Sequence, residues 1–372
     1  AGMLFHSAYS PQTAVYHDLF SSRVRGPWDE GRLRGALRRV MARHAVLRTG
    51  LVLAGYSRPL QLVHREVAPP LAVEDLRGLD PAAQSARLES WLEGEKGRGF
   101  AEAQPPLFRV VVHRWSDEWF QLSLSFHHAI LDGWSVATLL AELFIEYGNE
   151  GESGSPSLSA PGLRYRDFVA LETAAVESAA SAAYWEDLVV GRARTRLPRW
   201  PGFRRGGEPG RLGVEQVELG GVLAGSLSEL ARGLGVPLKS VLLAAHVRVL
   251  GWVTGQGEVL TGLVSNSRPE EEDGERVLGL FLNTVPLVAG VEEGTWSELI
   301  GAVFAQERAG LPHRRYPAGR LQRSHGGGEP LYETAFNYNH FHVYQGLDRS
   351  AALAVTDPRI FEQTNFVLMA NF

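Results

Sequence analysis

Residues 119–126 alternate apolar and polar side chains with period two, which predicts a half-buried β-strand. Residues 135–147 contain neither proline nor glycine and carry Leu139, Leu140, Leu143, Phe144 and Tyr147 at helical spacing, which predicts an amphipathic helix. Two adjacent histidines, His127 and His128, stand where that strand hands over to that helix. The same reading predicts helices over 29–44 (Leu33, Leu37, Val40 and Met41 on one face), 81–95 and 223–234. A further helix over 240–253 is apolar nearly all round and is expected to be buried. Strands are predicted over 59–66, 108–115, 214–219 and 259–265, and a tight turn at 116–118 makes 108–115 and 119–126 a hairpin. One long helix is read after Tyr165, ending near Tyr184 and Trp185, followed by an Arg/Gly/Pro-rich loop to about Gly213. Residues 149–162 have a loop composition and supply the expected boundary between two domains, 1–155 and 163–372.

Composition narrows the function class. A chain of 372 residues with 44% hydrophobic and 21% charged positions suits a globular protein of two domains. The net charge of −5 gives no reason to expect nucleic acid or an anionic membrane as partner. No run of about twenty apolar residues and no signal peptide is present, so a cytoplasmic enzyme or binding module is expected. With no cysteine there is no disulfide, thiolate metal site or cysteine nucleophile, and nothing in the chain suggests a metal. The opening Ala-Gly-Met-Leu-Phe-His has no start Met, which suggests a piece of a longer polypeptide.

The histidine pair is the candidate chemistry. A His titrates near neutrality and can take or give a proton, and the strand-to-helix turn is a common place for site residues. The plain structural reading stands beside it: a strand-end His can be a hydrogen-bonded fixture, Asp132 a helix N-cap and Gly133 a turn glycine.

The stretch His127-His128-Ala129-Ile130-Leu131-Asp132-Gly133 resembles the His-His-x-x-x-Asp-Gly signature of nonribosomal peptide synthetase condensation domains at every fixed position. Further segments resemble motifs of that family in order: Gly2-Met3-Leu4-Phe5-His6-Ser7, Arg43-His44-Ala45-Val46-Leu47-Arg48-Thr49, Tyr165-Arg166-Asp167-Phe168, Arg268-Pro269-Glu270, 279–286 and His313-Arg314-Arg315-Tyr316-Pro317. Two departures stand out. Ser267 occupies the place of a usual glycine, and the chain stops at Phe372 where the family continues through further strands and a helix.

The resemblance implies an α/β fold of two chloramphenicol acetyltransferase-like lobes, with mixed sheets flanked by helices, forming a V with a central tunnel. It implies an acyltransferase that forms an amide bond when a carrier-bound amine attacks an acyl or peptidyl thioester. No cofactor would be bound; the substrates would ride on phosphopantetheine arms of donor and acceptor carrier domains, beside an adenylation domain in the same polypeptide. The protein would be a monomer. His128 matches the residue that deprotonates or positions the amine. His127 is taken as structural, Asp132 is expected to pair with Arg268, and Gly133, Trp134 and Ser135 complete the motif. Strand alternation read alone would instead set His128 on the apolar face and His127 on the polar one. The histidines argue against a heterocyclization domain, which carries aspartates there. A starter condensation domain taking a fatty acyl group from acyl-CoA, and a non-catalytic recruitment domain, remain open alternatives. Asn339, His340 and His342 are candidate tunnel residues without a motif-assigned role.

Overall fold

The computed structural model describes residues 16–149, 158–199, 213–339, 353–362 and 364–372. The motif at residues 2–7, most of the expected boundary at 149–162, and His340 and His342 lie outside the described residues. Contacts group the chain into two compact units, each drawn from three stretches: 1–167, 268–281 and 340–364 in one, 168–267, 282–339 and 365–372 in the other.

The first unit begins with β1 (His17–Arg25), α1 (Glu30–Arg43), β2 (Thr49–Val52), β3 (Leu60–Val63) and β4 (Leu71–Asp75). It continues through α2 (Pro81–Lys96), β5 (Phe108–Arg114), β6 (Trp119–His127) and α3 (Gly133–Asn149). Next come α4 (Tyr165–Glu177), α5 (Ala179–Val189), α6 (Gly221–Leu234), α7 (Leu238–Thr254), β7 (Glu258–Asn266) and β8 (Leu282–Gly290). The chain closes with α8 (Trp296–Gly310), α9 (Ala318–His325), β9 (Thr334–Asn337), β10 (Ala354–Phe361) and β11 (Leu368–Asn371). The first unit's main sheet has the order β10-β1-β6-β5-β4, and β2 and β3 form a separate hairpin. Only β4 and β5 run parallel in that sheet, so it is mixed. The second unit is built on β11-β9-β7-β8, also mixed, with a core that includes Trp185, Leu243, Val247, Leu263, Leu287 and Phe336. Helices flanking mixed sheets give the expected α/β class.

The period-two pattern of β1 and β6 decides how the first sheet is packed. Phe20, Val24, Leu122, Leu124 and Phe126 join the core with Leu33, Leu37 and Val40 of α1 and Leu139, Leu140 and Leu143 of α3. On the alternate positions, Ser21, Gln121, Ser123 and Ser125 are at most 1% exposed, whereas the half-buried strand read over 119–126 leaves the polar face of β6 to water. This polar face lies on the side of α2, whose Leu88 and Leu92 cluster with Leu19. It is tolerated because its groups bond to one another: Ser21 Oγ meets Ser123 Oγ at 2.7 Å and receives Gln121 Nε2 at 2.8 Å.

Three other expectations differ. Residues 214–219 form no strand; Val214 and Val217 are 79% and 81% exposed, and among the described residues no neighbouring strand covers their alternation. The single helix after Tyr165 is two helices, because Ser178 accepts the Ser181 N–H and caps a new start at Ala179. Helix α7 is not buried all round, since Val249, Trp252 and Val253 are exposed.

A buried ionic cluster ties α1 to α3. Arg43 pairs with Glu142 at 2.7 Å and with Glu146, Arg39 reaches Glu146 at 2.7 Å, and His44 Nε2 meets Glu142 at 2.9 Å. Burial opposes the Glu142 charge, but the bonds and charges of His44 and Arg43 hold its pKa below the usual carboxylate value. Glu142→Ala would take one of its two carboxylates from buried Arg43 and the partner from His44 Nε2, and breaking a buried ion pair costs about 3–5 kcal/mol. We expect urea unfolding to show a loss of that size at neutral pH; a loss under about 1 kcal/mol would contradict the packing described.

Candidate functional site

Strand β6 delivers the histidine pair and the core holds it there. His127 N–H donates to the Leu107 carbonyl at 2.9 Å, His128 N–H to the Tyr16 carbonyl at 2.7 Å, and Ile130 N–H to the His127 carbonyl at 3.1 Å. Ile130 and Leu131, both buried, pin the loop beyond them. Strand alternation ends at His127, so the two rings enter different surroundings.

His128 Nδ1 lies 2.8 Å from the Leu131 carbonyl oxygen. A carbonyl only accepts, so Nδ1 carries the proton and Nε2 of the neutral ring carries the lone pair. The same Nδ1 lies 3.3 Å from Asp18 Oδ2, and the side chain is 24% exposed. Burial by itself would lower the His128 pKa. The Asp18 carboxylate, the Leu131 bond and the charges of Glu362 and Asp132 outweigh it, so the imidazole sits above its ordinary value.

His127 is the opposite case. Its Nδ1 accepts the Ala129 N–H at 3.0 Å, which leaves the proton on Nε2. Burial, with the neighbouring His128 and His17, pushes its pKa down to about 4. At neutral pH the ring is uncharged and serves as a backbone clamp.

Asp132 organises the helix start. Its Oδ1 accepts the Ser135 N–H at 2.8 Å, the N-cap bond of α3, and Arg268 Nη2 at 3.0 Å. Its Oδ2 accepts the Phe281 N–H at 3.0 Å. Ser135 Oγ completes the cluster, donating to the Gly279 carbonyl at 2.8 Å and accepting from Gly279 N–H at 3.0 Å and Arg268 Nη2 at 2.6 Å. The second Arg268 nitrogen donates to the Gly274 carbonyl at 3.2 Å and to the Val277 carbonyl at 2.5 Å. Asp132 and Arg268 are 1% and 5% exposed. Gly279 is required by space: a Cβ there would meet the Tyr165 ring at 2.1 Å.

The structure therefore brings Asp132, Ser135 and Arg268 together, all in the first unit. Trp134 Nε1 donates to the Glu275 carbonyl at 3.0 Å, and the Arg268 guanidinium lies 5.8 Å from its ring centre. Gly133 is the first helical residue of α3, not a turn glycine. Ser267, in place of the usual glycine, is buried, and its hydroxyl donates to the Arg314 carbonyl at 3.3 Å. Asn339 pairs through its backbone with Phe372 at 2.8 Å. Asp18 was missed by the sequence reading. It is remote in sequence, and the only signal for it is the β1–β6 register, in which Asp18 faces Phe126.

A family model described as "Condensation domain" matches residues 1–370. The AMB antimetabolite synthetase AmbE of Pseudomonas aeruginosa is 38% identical over 346 residues, covering 92% of this chain and 16% of that protein. Bacitracin synthase 1 of Bacillus licheniformis is 30% identical over 290 residues, covering 77% of this chain and 5% of that protein. The chain thus spans a small part of the curated relatives it matches. Among solved structures, the first condensation domain of the calcium-dependent antibiotic synthetase superposes with a TM-score of 0.76 at 21% identity, covering 91% of this chain and 80% of that one. The starter condensation domain of rhizomide synthetase RzmA gives 0.79 at 19% identity, covering all of this chain (100%) and 84% of that one. These likenesses establish the fold.

The contrasting environments of the histidines can be read by NMR titration of the imidazole protons. We expect His128 to titrate above the ordinary 6.5 and His127 near 4. Asp18→Asn removes the charge that most favours imidazolium, so the His128 pKa should fall; an unchanged value would refute the role of Asp18.

Proposed function

The chain belongs to the condensation-domain family, and from that premise we propose that it forms an amide bond between an acyl or peptidyl thioester and a carrier-bound aminoacyl amine. The observation that carries the reading is His128: its Nδ1 is committed to Leu131 and Asp18, and its Nε2 is left as the proton acceptor.

In this reading the amine nitrogen attacks the thioester carbonyl carbon. A C–N bond forms, the C–S bond breaks, and the sulfur leaves with the electron pair. His128 Nε2 takes the proton that the amine gives up and passes it to the departing thiolate. Asp18 favours the transient imidazolium, and the bond to Leu131 fixes the ring plane. General base catalysis of this kind is worth about 10²–10⁴-fold. Asp132, Ser135 and Arg268 hold the loop and do not touch the reacting atoms. Donor and acceptor carrier domains would present both substrates on phosphopantetheine arms, with an adenylation domain elsewhere in the polypeptide. We place the protein in the cytoplasm as a monomer needing no bound cofactor. Its relatives' identity as synthetases supports the carrier-borne substrates.

The test is product formation by intact-protein mass spectrometry, with an aminoacyl acceptor carrier offered either a peptidyl carrier or a fatty acyl-CoA. Transfer from the carrier is expected, and transfer from acyl-CoA alone would assign a starter domain. His128→Ala should be slower by about 10²–10⁴-fold. Equal rates would remove His128 from the chemistry, and no transfer from either donor would leave a recruitment role.

A further inference from the structure

The buried polar layer between β6 and α2 contains a chain of hydrogen bonds whose proton positions can be worked out one by one. It begins at Arg109, whose Nε donates to Glu95 Oε1 at 2.6 Å. The same carboxylate oxygen accepts the Ser125 hydroxyl at 2.7 Å. Because the Ser125 proton is used there, its Oγ acts as acceptor for His17 Nε2, 2.7 Å away. His17 therefore carries its proton on Nε2 and a lone pair on Nδ1. His127 also carries its proton on Nε2, because Nδ1 accepts from the Ala129 amide.

His17 Nδ1 and His127 Nε2 are both buried without a hydrogen-bond partner. One is an acceptor and the other a donor. The two residues are paired directly across the antiparallel β1–β6 ladder, so their side chains leave the same face of the sheet. Directly opposed residues place their Cβ atoms about 4.5–5.5 Å apart. The Phe100 ring lies edge-on to both imidazoles, with centroids at 5.2 Å from His17 and 6.5 Å from His127, and Arg109 covers its face at 3.8 Å. A buried donor and a buried acceptor of matched sense side by side are a costly arrangement unless they are joined.

We propose that His127 Nε2–H donates to His17 Nδ1 through one bridging water, closing a relay from Arg109 through Glu95, Ser125 and His17 to His127 that positions the His128 loop. Glu95, Ser125 and His17 are then positioning residues. Their effect reaches the loop through the His127 ring, which holds the Ala129 amide one residue beyond His128. The relay requires neutral imidazoles, and burial pushes the His17 pKa to about 4, as it does that of His127.

The test is 15N NMR of the folded protein labelled at histidine, with two substitutions at His17. In the wild type both His17 and His127 should be neutral at pH 7 with the proton on Nε2. His17→Gln keeps a donor for Ser125 and loses the acceptor at the Nδ1 position, so the His127 Nε2 resonance should move. His17→Asn restores an acceptor at that position and should return the resonance toward its wild-type value. A wild-type His17 protonated on Nδ1, or a His127 resonance indifferent to His17→Gln, would overturn the relay. The kinetic arm rests on the proposed amide-forming activity: His17→Gln should lower kcat by about 10- to 100-fold with KM little changed, as a small misplacement of a reacting group does. An unchanged kcat would overturn the positioning role. Should the wild type form no product, the functional reading fails, while the nitrogen shifts still decide the relay.

Discussion

One buried carboxylate holds the site together. Asp132 caps the helix that follows the histidines, pairs with Arg268 and accepts the Phe281 amide, so a single side chain joins the helix start to the distant 268–281 stretch at both its ends. An ion pair this deeply buried gains little net stability by itself, because removing two charges from water consumes most of their attraction. Its role here is positional: together with the bonds of Asp132 to Ser135 and Phe281, the pair ties the loop to the 268–281 stretch. Arg268 is satisfied by carbonyls on its other nitrogen and lies 4.1 Å from the Phe281 ring centre. The site's geometry follows from this node.

Around that node the fold gives two adjacent histidines opposite properties. His127 completes the strand and turns into the polar layer on the side of α2, where burial keeps it neutral. His128 lies past the strand's end, where Asp18 and the Leu131 carbonyl raise its basicity and fix its tautomer. The split needs no difference in intrinsic chemistry, only the end of a β-ladder between the two residues. A clamp and the proposed base are thus placed one peptide bond apart.

The local elements near the site were legible because their periodicity is strong. Helices α1, α2 and α3 lie within about two residues of the predicted spans, a margin set by fraying ends. The histidines, Asp132 and Arg268 were legible through the resemblance, since no local pattern links residues 132 and 268. What escaped was non-local. The polar positions of β6 carry a surface-like alternation, and only the packing of α2 shows that they are interior. Asp18 and His17 acquire meaning only from the β1–β6 register. Residues 214–219 show the converse, an alternating run that pairs with no strand among the described residues. Gly133, read as a turn glycine, is helical because the Asp132 cap starts the helix at Gly133, two residues before the predicted start at Ser135.

The central claim is that Asp132 and Arg268 act as one unit in holding the His128 loop. A double-mutant cycle of Asp132→Ala and Arg268→Ala, followed by rates of product formation and by urea unfolding, tests it most directly. The account predicts strong non-additivity: each single substitution costs nearly as much as both together, because either one strands the other's buried partner. Additive losses in both measurements would mean that the two residues act independently, and would contradict the account.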